Sequence, residues 1–290
     1  MPTLALITVL YKSDSVLEDF FAGIAMQDYT GYKLYLIDNS ANEITTSLIA
    51  QLVKKYAIAD VEYVDTKGNI GVAAGNNMGI KKAMQDGCTF LLFLNNDIFI
   101  SQTYLLNEMV KACEVHTIVT PKIFYYDSGL LWMAGGYIDK LKALGVHYGM
   151  KQKDAAQFNQ ARYVTYAPTC FLMVKTSVVE QIGLMDEKYF AYYDDTDFVY
   201  RAVKKGMKIW YQPSLQLMHK VSSSSGGDDS MFYIYYGNRN KLYFIKKHFK
   251  GVHKLYLYAY YLLTRFFYYL QFDGSKKKQL LKATTDGFKM

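Results

Sequence analysis

The amino-acid sequence predicts an α/β protein in which helices flank a mostly parallel, Rossmann-like sheet, followed by a helical C-terminal region. The main observation is that short apolar runs alternate with segments of helical periodicity through the N-terminal third of the chain. Such alternation produces right-handed strand–helix–strand units, and hence a parallel sheet that is buried on both faces. The chain of 290 residues is also 51% apolar with only 4 prolines, which excludes wholesale disorder.

The elements follow from the pattern in chain order. Strands are predicted at residues 4–10, 33–37, 61–64 and 90–94, and helices at residues 16–24, 44–56 and around 80–84. Beyond residue 97 the pattern loosens: residues 129–149 indicate loops and short strands, residues 169–174 and 213–219 indicate strands, and residues 177–182 indicate a short helix. The polar stretch 222–229 is predicted to be a mobile loop.

Charge divides the chain into two regions. The net charge is +7, but residues 238–290 hold 12 Lys/Arg against 2 Asp/Glu and leave residues 1–237 at −3. The same C-terminal stretch contains 13 of the aromatic residues. An acidic body without a recognisable nucleic-acid module argues against nucleic-acid binding.

Three widely spaced cysteines favour neither a disulfide framework nor a zinc site, and indicate a reducing compartment.

The basic, aromatic tail predicts an attachment to a membrane surface. Residues 255–272 are apolar and aromatic, but they contain Arg265 and fall short of the ~20 apolar residues that a spanning helix needs. Lysine clusters on both sides of such a segment are typical of an interfacial helix on an anionic bilayer. The alternative is that these helices pack on the body or on a second subunit, so a homo-oligomer stays open.

Acidic residues follow three of the predicted strands, as Asp38, Asp65 and Asp97. Because ligands of open parallel sheets bind beyond the carboxyl ends of the strands, these residues predict a polar ligand site. Asn95, Asn96 and Asp97 together could hold a hard divalent ion through the single carboxylate and the phosphates of a substrate.

A second candidate is the run of aromatic residues 189–193 that leads into Asp194, Asp195 and Asp197. A carboxylate packed against aromatic rings is partly desolvated and becomes a better proton acceptor, as a general base for a sugar hydroxyl must be. Asp197 is instead expected to pair with Arg201 on the next helical turn.

Two further segments have weaker signals. His219 ends an apolar strand, where a histidine is usually structural unless a metal or phosphate lies near. The glycine-rich segment 68–77 could bring backbone amides close to an anion, although helix packing would also explain its small residues. Its spacing does not match a dinucleotide-binding fingerprint.

In this order, the segments resemble family 2 glycosyltransferases with the GT-A fold, especially the bacterial rhamnosyltransferase-like branch. The matching segments are 8–11, 36–40, 68–79, 92–98, 192–201 and 213–219, within a resemblance that spans about residues 3–245. The resemblance implies an inverting, metal-assisted transfer of a sugar from a nucleoside diphosphate to an acceptor hydroxyl.

The resemblance also implies roles for individual residues. Asp195 would be the catalytic base, and Asp194 would orient it or the acceptor. Asp97 would bind Mg²⁺ or Mn²⁺ as the last acid of the family's DxD motif, with help from His219; position 95 is Asn, so one carboxylate would hold the ion. The residues expected to bind the nucleotide or donor are Tyr11, Asp38, Asn69, Gly71, Asn76 and Asn96.

The predicted organisation is a nucleotide-sugar-binding and catalytic domain at residues 1–237 and a membrane-associating helical region at residues 238–290. The predicted function is transfer of a sugar, with rhamnose favoured, from a dTDP- or UDP-linked donor to a lipid-linked or growing cell-surface polysaccharide. The enzyme is expected in the cytoplasm, peripherally attached to the inner face of the membrane. The alternatives are a UDP-dependent hexosyl or galactofuranosyl transferase, and a non-catalytic nucleotide-sugar- or glycan-binding subunit.

Overall fold

The N-terminal third forms the predicted parallel sheet. The structure, a computed structural model, describes residues 3–221 and 230–290, so the stretch 222–229 that was predicted to be a mobile loop lies outside the described residues. The first four strands are β1 (Leu4–Leu10), β2 (Tyr32–Asp38), β3 (Val61–Asp65) and β4 (Phe90–Leu94), and the helices between them are α1 (Leu17–Ala25), α2 (Glu43–Lys55) and α3 (Val72–Gln85). Their order across the sheet is β4-β1-β2-β3, with every neighbouring pair parallel.

The following part of the chain extends this sheet with mixed strand directions. Its elements are β5 (Ile98–Phe99), α4 (Leu105–Val115), β6 (Ile118–Tyr125), β7 (Leu131–Met133), β8 (Gly136–Asp139), β9 (Leu144–His147), β10 (Arg162–Val164), β11 (Phe171–Lys175), α5 (Thr176–Ile182), α6 (Asp194–Lys204) and β12 (Ile209–His219). β11 lies antiparallel between β4 and β6, and β12 runs parallel to β6, giving the order β10-β12-β6-β11-β4-β1-β2-β3. β8 and β9 form a separate two-stranded sheet. The α/β class with a flanked sheet is thus confirmed.

Glycines let α3 approach the sheet closely. A Cβ on Gly79 would lie 2.4 Å from Ile7 of β1, and one on Gly75 would lie 2.8 Å from Val9. Real Cβ atoms do not come this close to a neighbour, so any larger residue would push α3 away from β1. Helix packing therefore accounts for Gly75 of the segment 68–77 and for Gly79, which lies just beyond it.

The C-terminal region consists of α7 (Met231–His248), α8 (Gly251–Gln271) and α9 (Gly274–Lys289). Phe244 and Ile245 of α7 are fully buried in the core of the body, and the division predicted between residues 237 and 238 falls inside this helix. α8 is different, because it buries only Leu257 and Tyr261 among its residues. Within the described residues, no helix has the length and apolar content needed to cross a bilayer.

Candidate active site

The carboxyl ends of β1, β4 and β12 surround a cavity of about 890 Å³. We call it the donor cavity, because most of the residues expected to bind the nucleotide or donor line it. Nine of the residues predicted to function at a site line this cavity: Tyr11, Asn69, Gly71, Asn76, Asn96, Asp97, Asp194, Asp195 and His219. The sheet topology explains their convergence, since the strand ends and the following loops meet at one edge.

Asp38 lies behind the wall of the donor cavity and does not line it. Its side chain is fully buried, with Oδ1 accepting a hydrogen bond from the backbone N–H of Ser40 at 2.7 Å and Oδ2 accepting one from the hydroxyl of Tyr63 at 2.8 Å. Its neighbour Asn39 reaches the cavity instead. The role predicted for Asp38 in nucleotide binding stays a prediction.

Asp97 and His219 form a buried pair at the floor of the cavity. His219 ends β12, and its Nε2 lies 2.9 Å from Oδ1 of Asp97, which follows β4. The imidazole Nδ1 is buried without a hydrogen-bond partner among the described residues, and the ring packs against Trp132. A carboxylate oxygen and an imidazole nitrogen this close could both bind one divalent ion.

The described residues contain no cluster of three or more His, Cys, Asp or Glu that could hold a metal by itself. A hard ion such as Mg²⁺ commonly takes one or two protein ligands and completes its coordination with substrate phosphates and water. The Asp97–His219 pair fits that arrangement, and the residues present are compatible with a metal that binds together with the donor.

Gly71 joins the donor-cavity wall to the acidic segment. It has φ +88°, and a Cβ there would lie 2.7 Å from the backbone oxygen of Phe190. The same oxygen accepts the N–H of Val72 at 2.7 Å, and Oδ1 of Asn69 accepts the N–H of Gly71 at 3.0 Å. Asn76 is buried and lines the cavity, and its amide makes no hydrogen bond within the described chain, so it is available to a ligand.

The segment that carries the acidic residues has a strained backbone. Phe190, Tyr192 and Tyr193 all have φ between 60° and 66°, a region that side-chain-bearing residues rarely adopt. Asn240 of α7 stabilises this conformation, because its Nδ2 lies 2.7 to 2.9 Å from the carbonyl oxygens of Tyr189, Ala191 and Tyr192. A single buried side chain thus fixes the turn that leads into α6.

Asp195 and Asp194 occupy different environments at the start of α6. Oδ2 of Asp195 accepts a hydrogen bond from the hydroxyl of Tyr166 at 2.8 Å, and Oδ1 accepts the N–H of Thr196 at 2.5 Å. Burial raises the pKa of Asp195, against these hydrogen bonds, which lower it. Burial and the charge of the neighbouring Asp195 raise the pKa of Asp194 to about 7. Asp195 is therefore the member of the pair whose ionised form accepts hydrogen bonds from side chains, whereas the donors that favour ionised Asp194 are backbone N–H groups.

Asp197 has a structural role, as predicted. Its Oδ2 accepts a hydrogen bond from Nε of Arg201 at 2.7 Å, and Oδ1 lies 2.7 Å from both Nζ of Lys247 and Nε2 of His248. Burial opposes ionisation, but the His248 hydrogen bond and the two cations hold the pKa of Asp197 below its ordinary value. This carboxylate ties α6 to α7 and does not line the donor cavity.

A second cavity of about 640 Å³ meets the donor cavity at Asp195. We call it the second cavity. It lies between α6, α7 and α8, and it shares Tyr166, Tyr192, Asp195 and Tyr233 with the donor cavity. Asp194 lines the donor cavity but not the second cavity. A base at the junction can reach a hydroxyl that enters from the second cavity while facing a donor in the first.

A family model, "Glycosyl transferase family 2", matches residues 5–183. The chain belongs to glycosyl transferase family 2. As a member of this family it is a glycosyltransferase, and the matched part covers β1 to α5, which includes Asp97 and most of the donor-cavity wall.

This family 2 glycosyltransferase is similar to curated proteins at low identity. It is 24% identical over 254 residues to a low-salt glycan biosynthesis hexosyltransferase of Haloferax volcanii, covering 82% of this chain and 74% of the relative. It is 23% identical over 201 residues to a dTDP-rhamnosyl transferase of Shigella flexneri, covering 66% of this chain and 60% of the relative.

Solved structures share the fold of this family 2 glycosyltransferase. A mannosyltransferase of Pyrobaculum calidifontis, solved with GDP-Man and Mn²⁺, superposes with a TM-score of 0.60 at 14% identity, over 98% of this chain and 74% of that one. S. aureus TarS with UDP-GlcNAc gives a TM-score of 0.63 at 16% identity, over 100% and 81%.

Sequence reasoning missed Tyr166, which lines both cavities, and Asn240, which holds the turn before α6. Tyr166 lies in the segment where the pattern loosens, and nothing local distinguishes it from the many other tyrosines. Asn240 lies on α7 among basic residues, and nothing in the surrounding sequence distinguishes its side chain from a surface residue. Each is recognised only once α6, α7 and the loop before β11 are seen together.

Proposed function

We propose that this glycosyltransferase inverts the configuration of the sugar that it transfers, from a nucleoside diphosphate donor to a hydroxyl of a lipid-linked or growing cell-surface polysaccharide. The observation that carries the proposal is Asp195, a buried carboxylate at the point where the two cavities meet. The donor sugar would lie on one side of it and the acceptor hydroxyl on the other.

The reaction follows from this placement. Asp195 accepts the proton of the acceptor hydroxyl while that oxygen attacks the anomeric carbon, and the bond from this carbon to the diphosphate oxygen breaks. One displacement on the face opposite the leaving group inverts the anomeric centre. Tyr166 and Thr196 hold the carboxylate in position and favour its ionised form. Asp194, with a pKa of about 7, orients the acceptor or Asp195 from the donor side.

Asp97 and His219 would hold Mg²⁺ or Mn²⁺ against the donor diphosphate, and the chemistry that the ion supplies is neutralisation of the charge that grows on the leaving group. Tyr11, Asn69, Asn76 and Asn96 would contact the nucleotide. Two relatives are named for hexosyl and dTDP-rhamnosyl transfer, so a hexose and rhamnose are the donor sugars to compare, and we favour rhamnose.

A thermal-shift screen of UDP, dTDP and GDP and their sugars, each with and without Mn²⁺, tests the donor assignment. A ligand that binds the native state selectively raises the unfolding midpoint by mass action. We expect stabilisation by one nucleotide class, larger with Mn²⁺, and an inverted glycosidic product when the matching donor sugar and an acceptor are supplied. A product with retained configuration would contradict the mechanism.

We further propose that α8 attaches the enzyme to the inner face of an anionic membrane. Its outer face exposes the large apolar side chains of Leu255, Leu262, Leu263, Phe266, Phe267 and Leu270. Lysines 250 and 254 precede the exposed face, and lysines 276–278 follow it. Apolar side chains at headgroup depth between cationic clusters are the pattern of an interfacial helix.

Co-sedimentation with phosphatidylglycerol and phosphatidylcholine vesicles tests this attachment. Replacing both Phe266 and Phe267 with Ser removes apolar area that would be buried in the bilayer, and we expect binding to the anionic vesicles to fall at least about tenfold. Tyr163→Ser, at an exposed aromatic residue on β10, is the matched control. Equal sedimentation of the double variant and the control would contradict the attachment.

A further inference from the structure

The second cavity contains two cations that the mechanism above does not use. Lys241 of α7 and Arg265 of α8 both line it, and neither lines the donor cavity. Lys241 is only 6% exposed. Within residues 3–221 and 230–290, no carboxylate forms an ion pair with either side chain, and Nε of Arg265 is buried without a hydrogen-bond partner.

Arg265 is half-buried, and a buried lysine that feels the charge of a second cation is unfavourable without a counter-charge. Burial, together with the positive charge of Arg265, lowers the pKa of Lys241 to about 8. The negative charge of Asp139 raises the pKa of Lys241. The Asp139 carboxylate already has partners of its own, because it accepts the backbone N–H groups of Leu141 and Lys142 and pairs with the ammonium of Lys142. An anion from outside the chain would supply what the protein does not.

The position of Lys241 and Arg265 in the second cavity indicates which molecule carries the anion. Because the second cavity shares Asp195 with the donor cavity, a molecule bound at Lys241 and Arg265 has its other end near the base. Tyr268 and Phe272 at the end of α8 also line the cavity, and the exposed apolar face of the same helix continues from them to the surface. An apolar chain attached to the anion could leave the cavity along this face.

We propose that Lys241 and Arg265 form the phosphate subsite of the acceptor, which is a glycan esterified through a phosphate or diphosphate to an apolar chain. This inference rests on the proposed function and specifies its acceptor. The guanidinium of Arg265 can bind two phosphate oxygens through parallel N–H groups, and the ammonium of Lys241 adds a point charge. The ester oxygen then leads to the sugar near Asp195.

The test uses the full chain with the donor cavity filled by the nucleoside diphosphate that binds it and Mn²⁺. Farnesyl diphosphate is the probe, farnesol and inorganic pyrophosphate are the comparisons, and affinity is measured by isothermal titration calorimetry. We expect farnesyl diphosphate to bind, pyrophosphate to compete with it, and farnesol to bind at least about tenfold more weakly because it lacks the anion.

Lys241→Met keeps the length of the side chain and removes its charge, and Arg265→Gln removes the guanidinium. We expect each to weaken farnesyl diphosphate binding about tenfold or more, since each removes a charged hydrogen-bond donor. Lys246→Met is the control: it removes one charge from the exposed side of α7, the helix that carries Lys241, and should leave the affinity for farnesyl diphosphate unchanged. A thermal unfolding midpoint no lower than that of the parent shows that a variant is folded.

The following results would overturn the assignment of Lys241 and Arg265 as a phosphate subsite. Equal affinity for farnesyl diphosphate in the parent, Lys241→Met and Arg265→Gln would overturn it, as would equal affinity for farnesol. Weaker sedimentation of Lys241→Met with phosphatidylglycerol vesicles would assign the cavity to a membrane headgroup and would also overturn it. If no nucleoside diphosphate binds the parent, the proposed function fails separately, and the farnesyl diphosphate titrations are then read without nucleotide.

Discussion

The hydrogen bond from Tyr166 to Asp195 sets the pH at which the proposed base becomes active. The phenol donates to Oδ2 of Asp195 at 2.8 Å and stabilises the ionised carboxylate, whose pKa burial has already raised. Tyr166→Phe removes this donor and keeps the ring, which packs so tightly on Gly145 that a Cβ there would lie 2.3 Å from it. The change therefore affects the hydroxyl and little else.

The sign and the size of the effect follow from this contact. Loss of a hydrogen bond to the charged form raises the pKa of Asp195, so a smaller fraction is ionised at neutral pH. Hydrogen bonds to charged groups contribute about 1.5–3 kcal/mol, and one pKa unit corresponds to about 1.4 kcal/mol, so the shift should be about one to two units. The acid limb of kcat/KM should move to higher pH by that amount, while the rate above the new pKa should stay close to that of the parent.

The assay is the initial rate of nucleoside diphosphate release in the presence of acceptor, measured across the pH range in which the parent gains activity. Tyr211→Phe is the matched control, because its buried hydroxyl donates to the backbone oxygen of Phe158 and lies outside both cavities. The control should lose stability without a change in the pH profile. An acid limb that stays in place in Tyr166→Phe, or moves to lower pH, would refute the assignment of Asp195.

Three other changes test the remaining roles. Asp195→Asn should lower the transfer rate about 10²–10⁴-fold with donor affinity preserved, and a rate near that of the parent would show that the base is another group. Asp97→Ala should abolish the effect of Mn²⁺ on nucleotide affinity, so calorimetric titrations that still differ with and without Mn²⁺ would contradict the metal role. Asn240→Ala removes the side-chain donor of the Ala191 and Tyr192 carbonyl groups, and it should reduce the free energy of unfolding in urea by about 1–3 kcal/mol. A loss no larger than that of Asn107→Ala, whose side chain makes no hydrogen bond within the described residues, would contradict the role of Asn240 in holding the acidic segment.

The sequence predicts the N-terminal third of the fold closely, because the buried strands β1 and β4 leave an unambiguous apolar pattern. The run at residues 4–10 is bounded by polar residues and becomes β1 with the same limits, and the run at residues 90–94 becomes β4. Strand direction is less accessible: a strand is expected at residues 169–174 and β11 forms at Phe171–Lys175, but apolar content does not reveal that β11 runs antiparallel to β4. Direction depends on how long connections cross the sheet, which no local pattern records.

The candidate site divides in the same way. Asp97 is predictable as a strand-end residue, because β4 belongs to the regular parallel part of the sheet, whereas His219 at the end of β12 is selected only by the family resemblance. The direction of a side chain is not predictable, as Asp38 shows by turning toward Tyr63 and away from the cavity. Tyr166 and Asn240 act through contacts across 29 and 48 or more residues of chain, and sequence spacing carries no signal for such contacts.

The family match ends before the part of the site that we propose to bind the acceptor. The matched residues 5–183 contain Asp97 and most of the donor-cavity wall, but they end before Asp194 and Asp195. Everything that shapes the second cavity from the C-terminal side lies beyond the match, on α6, α7, α8 and α9. α7 connects these functions physically, because Asn240 holds the turn that positions Asp195 while the next residue, Lys241, lines the second cavity. If the second cavity binds the acceptor as proposed, a change of acceptor can arise in the C-terminal helices while the donor cavity is preserved, and those helices then serve the proposed active site as well as the proposed attachment to the membrane.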